Sequence, residues 1–208
     1  METRRVGRSG LQVSRLALGT MTWGRDTDAE SAAAQLEAFV AAGGTLVDTS
    51  NVYCDGDAET ILGTLVPNVV SRSSVQLSTT TVGAGGGRGS LLDALDGSLA
   101  RLGTDHVDLW QVHGFDAAVP FEETSAALRA AVESGRTRYV GVSGMNGWQL
   151  ATLAGYLRGT FPGTGLVSVE SEYSLLERGP EKSVLPAAAV HGVGLLAWAA
   201  LGRGVLSG

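Results

Sequence analysis

Short apolar runs alternate along the chain with longer stretches in which apolar residues recur every three or four positions. Such runs are typical of buried strands, and the three-to-four repeat is typical of helices with one buried face. The stretch 90–103 is the clearest helix, because its leucines recur at these steps. The seven predicted strands are 15–20, 45–50, 75–80, 106–113, 139–144, 166–173 and 193–201. The six predicted helices are 28–43, 58–66, 90–103, 121–135, 148–159 and 181–192.

Strand–helix alternation without a break in composition predicts one α/β domain over residues 1–208, built on a parallel sheet. A repeat of about 25–33 residues per unit suits a (β/α)8 barrel of the TIM type. With seven strands and six helices this barrel is incomplete, and the segment 4–16 is interpreted as an N-terminal hairpin. Asp28 and Ser90 are the predicted N-caps of the first and third helices.

An incomplete barrel leaves its first and seventh strands with unpaired backbone groups at the position of the missing eighth strand. Exposed strand edges promote aggregation unless they are covered. We expect this seam to be covered by the N-terminal hairpin, by direct contact between the two strands, or by a partner chain such as a second copy of this one.

Composition narrows the function classes. The net charge is −6, from 21 acidic and 15 basic residues, and no basic cluster points to nucleic acid. The apolar runs are too short and interrupted to predict a membrane span, and the N-terminus lacks the apolar stretch of a signal peptide. Cys54 is the single cysteine, which indicates a reducing cytoplasm. With one cysteine and three scattered histidines, the sequence has no metal-site spacing and predicts no bound metal.

Polar residues stand where several predicted strands end. Asp48, His113, Ser143 and Glu170 lie at or near strand ends, and Tyr53 lies in the loop that follows the second strand. The carboxyl ends of parallel strands open on one face, where α/β barrels build their sites. We therefore expect Asp48, Tyr53 and His113 to form a proton-handling group, although strand-end polar residues also serve as loop caps.

A glycine-rich segment at 83–89 follows a strand and precedes a helix, the context in which phosphate-binding loops occur. It lacks the Gly-Lys-Ser/Thr of a P-loop, and Arg88 stands where a G-x-G-x-x-G motif needs glycine. A flexible loop between strand and helix is the preferred interpretation.

Six segments carry a resemblance to the aldo-keto reductase family, in order and over essentially the whole chain. They are LALGTMTWG, LVDTSNVY, HVDLWQVH, YVGVSG, EYSLLERGPE and AWAALGRGVLSG. The resemblance implies a (β/α)8 barrel that reduces carbonyl compounds with NADPH. It also implies catalysis by a tetrad of Asp, Tyr, Lys and His.

By this resemblance, Asp48 matches the tetrad aspartate, Tyr53 the general acid, and His113 the histidine that orients the substrate carbonyl. Trp23 would line the substrate pocket. Trp198 would stack on the nicotinamide ring, with a core aromatic on an inner strand as the alternative interpretation. The implied cofactor contacts are Thr20, Ser143, Glu170, Trp198 and Arg203.

The sequence also departs from the family pattern. The tetrad lysine is replaced by Thr81, or by Thr80 in the other register, and the single lysine, Lys182, stands just before the last helix. Gly144 and Glu170 replace an asparagine and a glutamine that hold the nicotinamide carboxamide. The basic segment that contacts the 2′-phosphate follows strand eight in the family and is not among these 208 residues. An adjacent ammonium lowers a tyrosine pKa, so we expect Tyr53 to be a less ready acid and NADPH to bind weakly.

The sequence is compatible with three functions. The first is NADPH-linked carbonyl reduction with Tyr53 as general acid. The second is a non-redox acid–base catalyst, such as a dehydratase, isomerase or cyclase, that uses Asp48, Tyr53 and His113 without NADPH. The third is a non-catalytic binding barrel. The fold alone does not choose among them.

Overall fold

The computed structural model describes residues 1–82, 87–160, 163 and 165–208. The strands are β1 Thr3–Arg5, β2 Gln12–Ser14, β3 Ala17–Gly19, β4 Leu46–Ser50, β5 Gln76–Thr81, β6 Val107–His113, β7 Thr137–Ser143, β8 Leu166–Glu172 and β9 Gly194–Trp198. The helices are α1 Ala29–Ala41, α2 Asp57–Val69, α3 Arg88–Leu102, α4 Phe121–Glu133, α5 Gly147–Thr160 and α6 Val184–His191. Each predicted strand and helix is confirmed within a few residues. Of the glycine-rich segment, residues 83–86 lie outside the described residues.

Seven strands, β3 to β9, form one parallel sheet in chain order, which confirms the α/β barrel class. The sheet curls as an incomplete barrel, with β3 and β9 as its edges. Its outer face packs against the helices through residues such as Val47, Trp110 and Val142, all fully buried. Among the described helices, none is long and apolar enough to cross a membrane.

The N-terminal hairpin, β1 paired antiparallel with β2, is confirmed and covers the amino end of the sheet. Its buried residues Val6, Leu11 and Val13 pack on Leu46 and Leu109 inside the barrel. In the described chain the hairpin forms its own two-stranded sheet. The edge strands β3 and β9 pair neither with the hairpin nor with each other. A partner chain over the seam therefore stays a prediction.

The two predicted N-caps have different outcomes. Asp28 caps α1, since its carboxylate accepts a hydrogen bond from the Ser31 N–H at 2.8 Å. Ser90 is not a cap, because α3 begins two residues earlier with Gly87 at the capping position. The Arg88 N–H donates to a carboxylate oxygen of Glu123 at 3.3 Å, so α4 supplies an acceptor for this first turn.

Candidate active site

Asp48 lies on β4 and is half-buried, but its Oδ1 is sealed from solvent and has no hydrogen-bond partner among the described residues. Burial raises the pKa of Asp48 well above its usual value, and the negative charge of Glu170 raises it further, against a smaller lowering by the nearby Ser78 hydroxyl. Burial also raises the pKa of the Glu170 carboxyl on β8. Within the described chain neither carboxylate has a salt-bridge partner, so this pair favours a bound proton over two negative charges.

Tyr53 begins a short 3-10 turn, Tyr53–Gly56, directly after β4. The next two residues, Cys54 and Asp55, have left-handed backbone angles, with φ of 50° and 55°. Non-glycine residues in this region are strained, and such strain is common at functional sites. Burial raises the pKa of the Tyr53 hydroxyl, and Asp48 and Glu170 raise it further. Tyr53 is therefore held in its protonated form.

The directions of the side chains on β5 distinguish the two threonines, Thr80 and Thr81, that could replace the family's lysine. On β5, the Thr79 hydroxyl donates to Glu59 of α2 at 2.6 Å, and the Thr81 hydroxyl accepts from Trp110 Nε1 at 2.9 Å. Both side chains therefore face the helices. Side chains alternate along a strand, so Thr80 faces the barrel interior, where its hydroxyl lies 3.5 Å from the Gln111 amide. Of Thr80 and Thr81, only Thr80 therefore faces the barrel interior.

His113 ends β6 and is exposed at the mouth of the barrel. Its Nδ1 lies 3.1 Å from the Ser143 hydroxyl at the end of β7, so Ser143 orients the imidazole. Gly144 follows with φ of +69°, and a Cβ there would lie 2.8 Å from the His113 Cε1. Glycine at the family's asparagine position therefore lets the ring rest against the backbone.

The predicted cofactor residues beyond Ser143 and Glu170 occupy the edges of the sheet. Trp198 ends β9 with 39% of its surface exposed. The Arg203 guanidinium lies 5.4 Å from the Trp198 ring centroid and donates to Glu172 at 2.9 Å. The Thr20 side chain is fully buried and its hydroxyl donates to the Asp48 carbonyl oxygen at 3.2 Å, which ties β3 to the site.

Trp23 differs from these residues in being enclosed by the core. It is fully buried in the core between sheet and helices, and its Nε1 donates to Gln35 of α1 at 3.0 Å. In this structure the ring presents no open face to a substrate. The structure thus places Trp23 as a core aromatic that anchors α1.

An aromatic cluster escaped the sequence interpretation. Phe115 stacks on Phe121 with ring centroids 5.0 Å apart, and Trp148 meets Phe115 edge-on at 5.2 Å. Phe115 follows His113 by two residues, and Trp148 lies in the first turn of α5 with 56% of its surface exposed. Aromatic residues in two successive strand–helix loops were the signal that could have revealed the cluster.

This arrangement is suited to proton transfer. It combines the protonated phenol of Tyr53, the carboxyl groups of Asp48 and Glu170, whose pKa values are both raised, and the imidazole of His113 at the mouth of the barrel. Among the described residues, no group of three or more His, Cys, Asp or Glu side chains is arranged to hold a metal ion.

The chain belongs to the aldo-keto reductase family. The pattern described as the aldo/keto reductase family matches residues 15–208. An uncharacterized oxidoreductase, YrpG, of Bacillus subtilis is 38% identical over 100% of this chain and 69% of its own length. Aldo-keto reductase YhdN of the same organism is 33% identical over 100% of the chain and 64% of its own length. A probable voltage-gated potassium channel subunit beta of Oryza sativa is 35% identical over 100% of the chain and 66% of its own length. The chain thus spans about two thirds of the length of these relatives.

Proposed function

We propose that this chain carries the carbonyl-reducing site of an aldo-keto reductase, with Tyr53 as the proton donor to the oxygen of an aldehyde or ketone. The observation that carries the proposal is the protonated Tyr53 hydroxyl beside Asp48 and Glu170, at the carboxyl end of the strands. The names of relatives such as aldo-keto reductase YhdN support a reductase activity.

The residues present fit the nicotinamide end of NADPH. The exposed ring of Trp198 offers a stacking face, and the Arg203 guanidinium beside it suits a nearby phosphate. The raised pKa of Glu170 favours the neutral acid, which carries one O–H donor and so resembles the amide that it replaces. When bound, NADPH would supply the hydride that reduces the carbonyl carbon.

The chain's own residues would handle the oxygen of the substrate. His113 Nδ1 lies 3.1 Å from the Ser143 hydroxyl, and in the tautomer whose Nδ1 accepts from this hydroxyl the Nε2–H can donate to the carbonyl oxygen of the substrate. Tyr53 gives its proton to this oxygen as the carbon is reduced. The phenolate left behind faces Asp48 and Glu170 without a cation, so the transfer is harder than with a lysine present. A protonated Asp48 is a stronger acid than a phenol and can return the proton to Tyr53.

NADPH binding and turnover test the proposal together. We expect NADPH to quench tryptophan fluorescence with an affinity weaker than micromolar, because Gly144 stands in place of the asparagine that holds the nicotinamide carboxamide in the family. Trp198→Phe should remove most of the quench, and Trp148→Phe, which alters the other exposed tryptophan, serves as its control. NADPH-dependent reduction of 4-nitrobenzaldehyde should follow. Submicromolar binding would contradict the weakened site, and absence of both binding and reduction would contradict the proposal.

A specific observation favours a second candidate, a non-redox acid–base catalyst. Asp48 keeps a buried Oδ1 with no hydrogen-bond partner in the described part of the chain, and Thr80 supplies no cation to neutralise it. A carboxyl group in this state can donate or accept a proton without any cofactor. Conversion of a hydroxylated carbonyl compound in the absence of NADPH would select this function over reduction.

A non-catalytic binding barrel is the alternative if substitutions of the catalytic residues do not change activity. The rice relative is named a channel subunit, so a binding role within the family is a relevant comparison. If neither Tyr53→Phe nor His113→Ala changes any detected activity, both catalytic proposals fail and the binding role stands.

A further inference from the structure

A cavity of about 410 Å³ opens at the amino end of the sheet, on the face opposite Tyr53 and His113. Its walls come from the turn of the N-terminal hairpin, the starts of β7 and β8, and the ends of α5 and α6. Pockets of about 300–1,000 Å³ hold small ligands.

The charged residues that line this cavity are all basic. They are Arg8, Arg138, Arg158 and His191, and its described lining contains no carboxylate. A local excess of arginine is unexpected in a chain whose net charge is −6. Of these residues, Arg138 forms an ion pair with Asp108 at 3.2 Å, and Asp108 also pairs with Arg72 at 2.8 Å. One negative charge thus serves two guanidinium groups.

Two of these arginines converge on the dipeptide His191–Gly192. Arg158 Nη2 donates to the His191 carbonyl oxygen at 3.1 Å. The Arg8 N–H donates to the Gly192 carbonyl oxygen at 2.8 Å, and its side chain rests on Gly192, where a Cβ would lie 2.6 Å from the Arg8 Cδ. In the described part of the chain the Arg8 guanidinium has no hydrogen bond or ion pair. Among the described residues nothing occupies these donors, and the Arg8 side chain is exposed.

Helix stabilisation explains only part of this cluster. Arg158 and His191 stand in the last turns of α5 and α6, where positive charge complements the helix dipole. Arg8 lies in the hairpin turn and Arg138 lies on β7, so the dipole of neither helix accounts for them. The remaining described lining consists of Ser9, three glycines, the Tyr139 ring and aliphatic residues. The aliphatic residues are Val132, which is half-buried, and Val140, Ala154, Leu166 and Val167, which are at most 8% exposed.

We propose that this cavity binds a small organic oxyanion, a phosphate monoester or carboxylate with a short apolar part, at a site separate from the catalytic end. Guanidinium groups bind phosphate and carboxylate oxygens through paired, charge-assisted hydrogen bonds. Arg8 and Arg158 supply these donors, and the aliphatic wall receives the apolar part.

Calorimetric titration of the full chain without NADPH tests the site, with inorganic phosphate and phenyl phosphate as probes at constant ionic strength. We expect saturable binding of both, with phenyl phosphate bound at least about fivefold more tightly because its ring meets the aliphatic wall. Arg8→Gln and Arg158→Gln should each weaken binding about tenfold. Arg8→Gln keeps the test valid if Arg158→Gln fails to fold, since the Arg8 guanidinium makes no bond within the described chain.

Two controls decide where the anion sits. Arg5→Gln removes the same charge from the same hairpin outside the cavity and should leave binding unchanged. Arg203→Gln removes the arginine at the carboxyl end of the sheet, where a phosphate can bind separately, and should leave the part of the binding that depends on Arg8 unchanged. Absence of saturable heat, or equal loss with Arg5→Gln and Arg8→Gln, would overturn the proposal. Loss with Arg203→Gln but not with Arg8→Gln would also overturn it, because the anion would then occupy the catalytic end.

Discussion

The two ends of the sheet treat a buried carboxylate in opposite ways. At the amino end, Asp108 is 4% exposed and accepts hydrogen bonds from the Leu77 N–H and Arg72, with Arg138 3.2 Å away. At the carboxyl end, Asp48 has a buried Oδ1 with no partner among the described residues and lies near a second carboxyl, Glu170. The neutralised carboxylate ties strands together, whereas the unneutralised one is left able to exchange a proton. Perturbed groups of the second kind cluster at functional sites.

The largest effect on activity should come from removing the Tyr53 hydroxyl at the carboxyl end of the sheet, where Asp48 and Glu170 lie. Tyr53→Phe should lower the rate of carbonyl reduction by ~10²–10⁴-fold, because the proton donor to the carbonyl oxygen is lost. Thermal unfolding should be nearly unchanged, since a single hydroxyl is removed. The matched control is Tyr156→Phe on α5, which should leave the rate unchanged. Equal rates for wild type and Tyr53→Phe would refute the assignment.

The next effect lies at the amino end and concerns stability. Asp108→Asn should lower the free energy of unfolding by about 2–3 kcal/mol, because two guanidinium groups and a backbone donor lose their shared acceptor charge. The loss should stay below that of a fully buried pair, since the Arg138 side chain is 62% exposed. Urea unfolding measures this loss of free energy of unfolding. The exposed Asp93 of α3 provides the control Asp93→Asn. A comparable loss in both variants would show that the contacts of Asp108 do not stabilise the fold.

A lysine at the carboxyl end of the sheet should neutralise Asp48, as the arginines neutralise Asp108 at the amino end. Thr80→Lys should raise the rate of carbonyl reduction about tenfold or more, because an ammonium beside Asp48 and Tyr53 stabilises the phenolate. If the site is a non-redox catalyst, the same lysine neutralises Asp48 and its activity should fall. Thr81→Lys is the contrasting variant: it breaks the hydrogen bond from Trp110 on the helix side and should destabilise the fold without raising the rate.

The smallest effect is a pH-dependent gain in stability. Because the pKa of Asp48 is raised above 3.8, the folded protein keeps this proton at pH values where the unfolded chain has lost it. Stability therefore falls as the pH rises from 3.8 through the raised pKa. Asp48→Asn should stabilise the protein by about 1 kcal/mol or more near neutral pH, and the gain should vanish near pH ~4. Urea unfolding at both pH values tests this, and an equal gain at both would contradict the raised pKa.

Much of the fold was predictable because each strand and helix has its own local pattern. The apolar run 106–113 and the leucine repeat of 90–103 specify β6 and α3 without any distant contact. The strand-end positions of Asp48 and His113 were readable for the same reason. The incomplete curl of the sheet follows from the number of such units.

Other features depend on contacts that local sequence does not encode. Three consecutive threonines offer no polar–apolar contrast, so only the bonds of Thr79 and Thr81 to the helix layer show that Thr80 faces inward. Trp23 is buried because α1, with Gln35, folds back over it. The basic cavity joins Arg8 to His191 across nearly the whole chain, a proximity that neither segment signals alone.

The ionisation of Tyr53 tests the contrast between the two ends most directly. Ultraviolet difference titration of the wild type and of Tyr53→Phe isolates the phenolate signal of this one tyrosine. The account predicts that the two curves coincide up to pH ~11, because burial and the two carboxyls raise the pKa of Tyr53 above the ordinary value of 10.0. An additional phenolate in the wild type at or below pH 10.0 would show that the pKa of Tyr53 is not raised and would contradict the account.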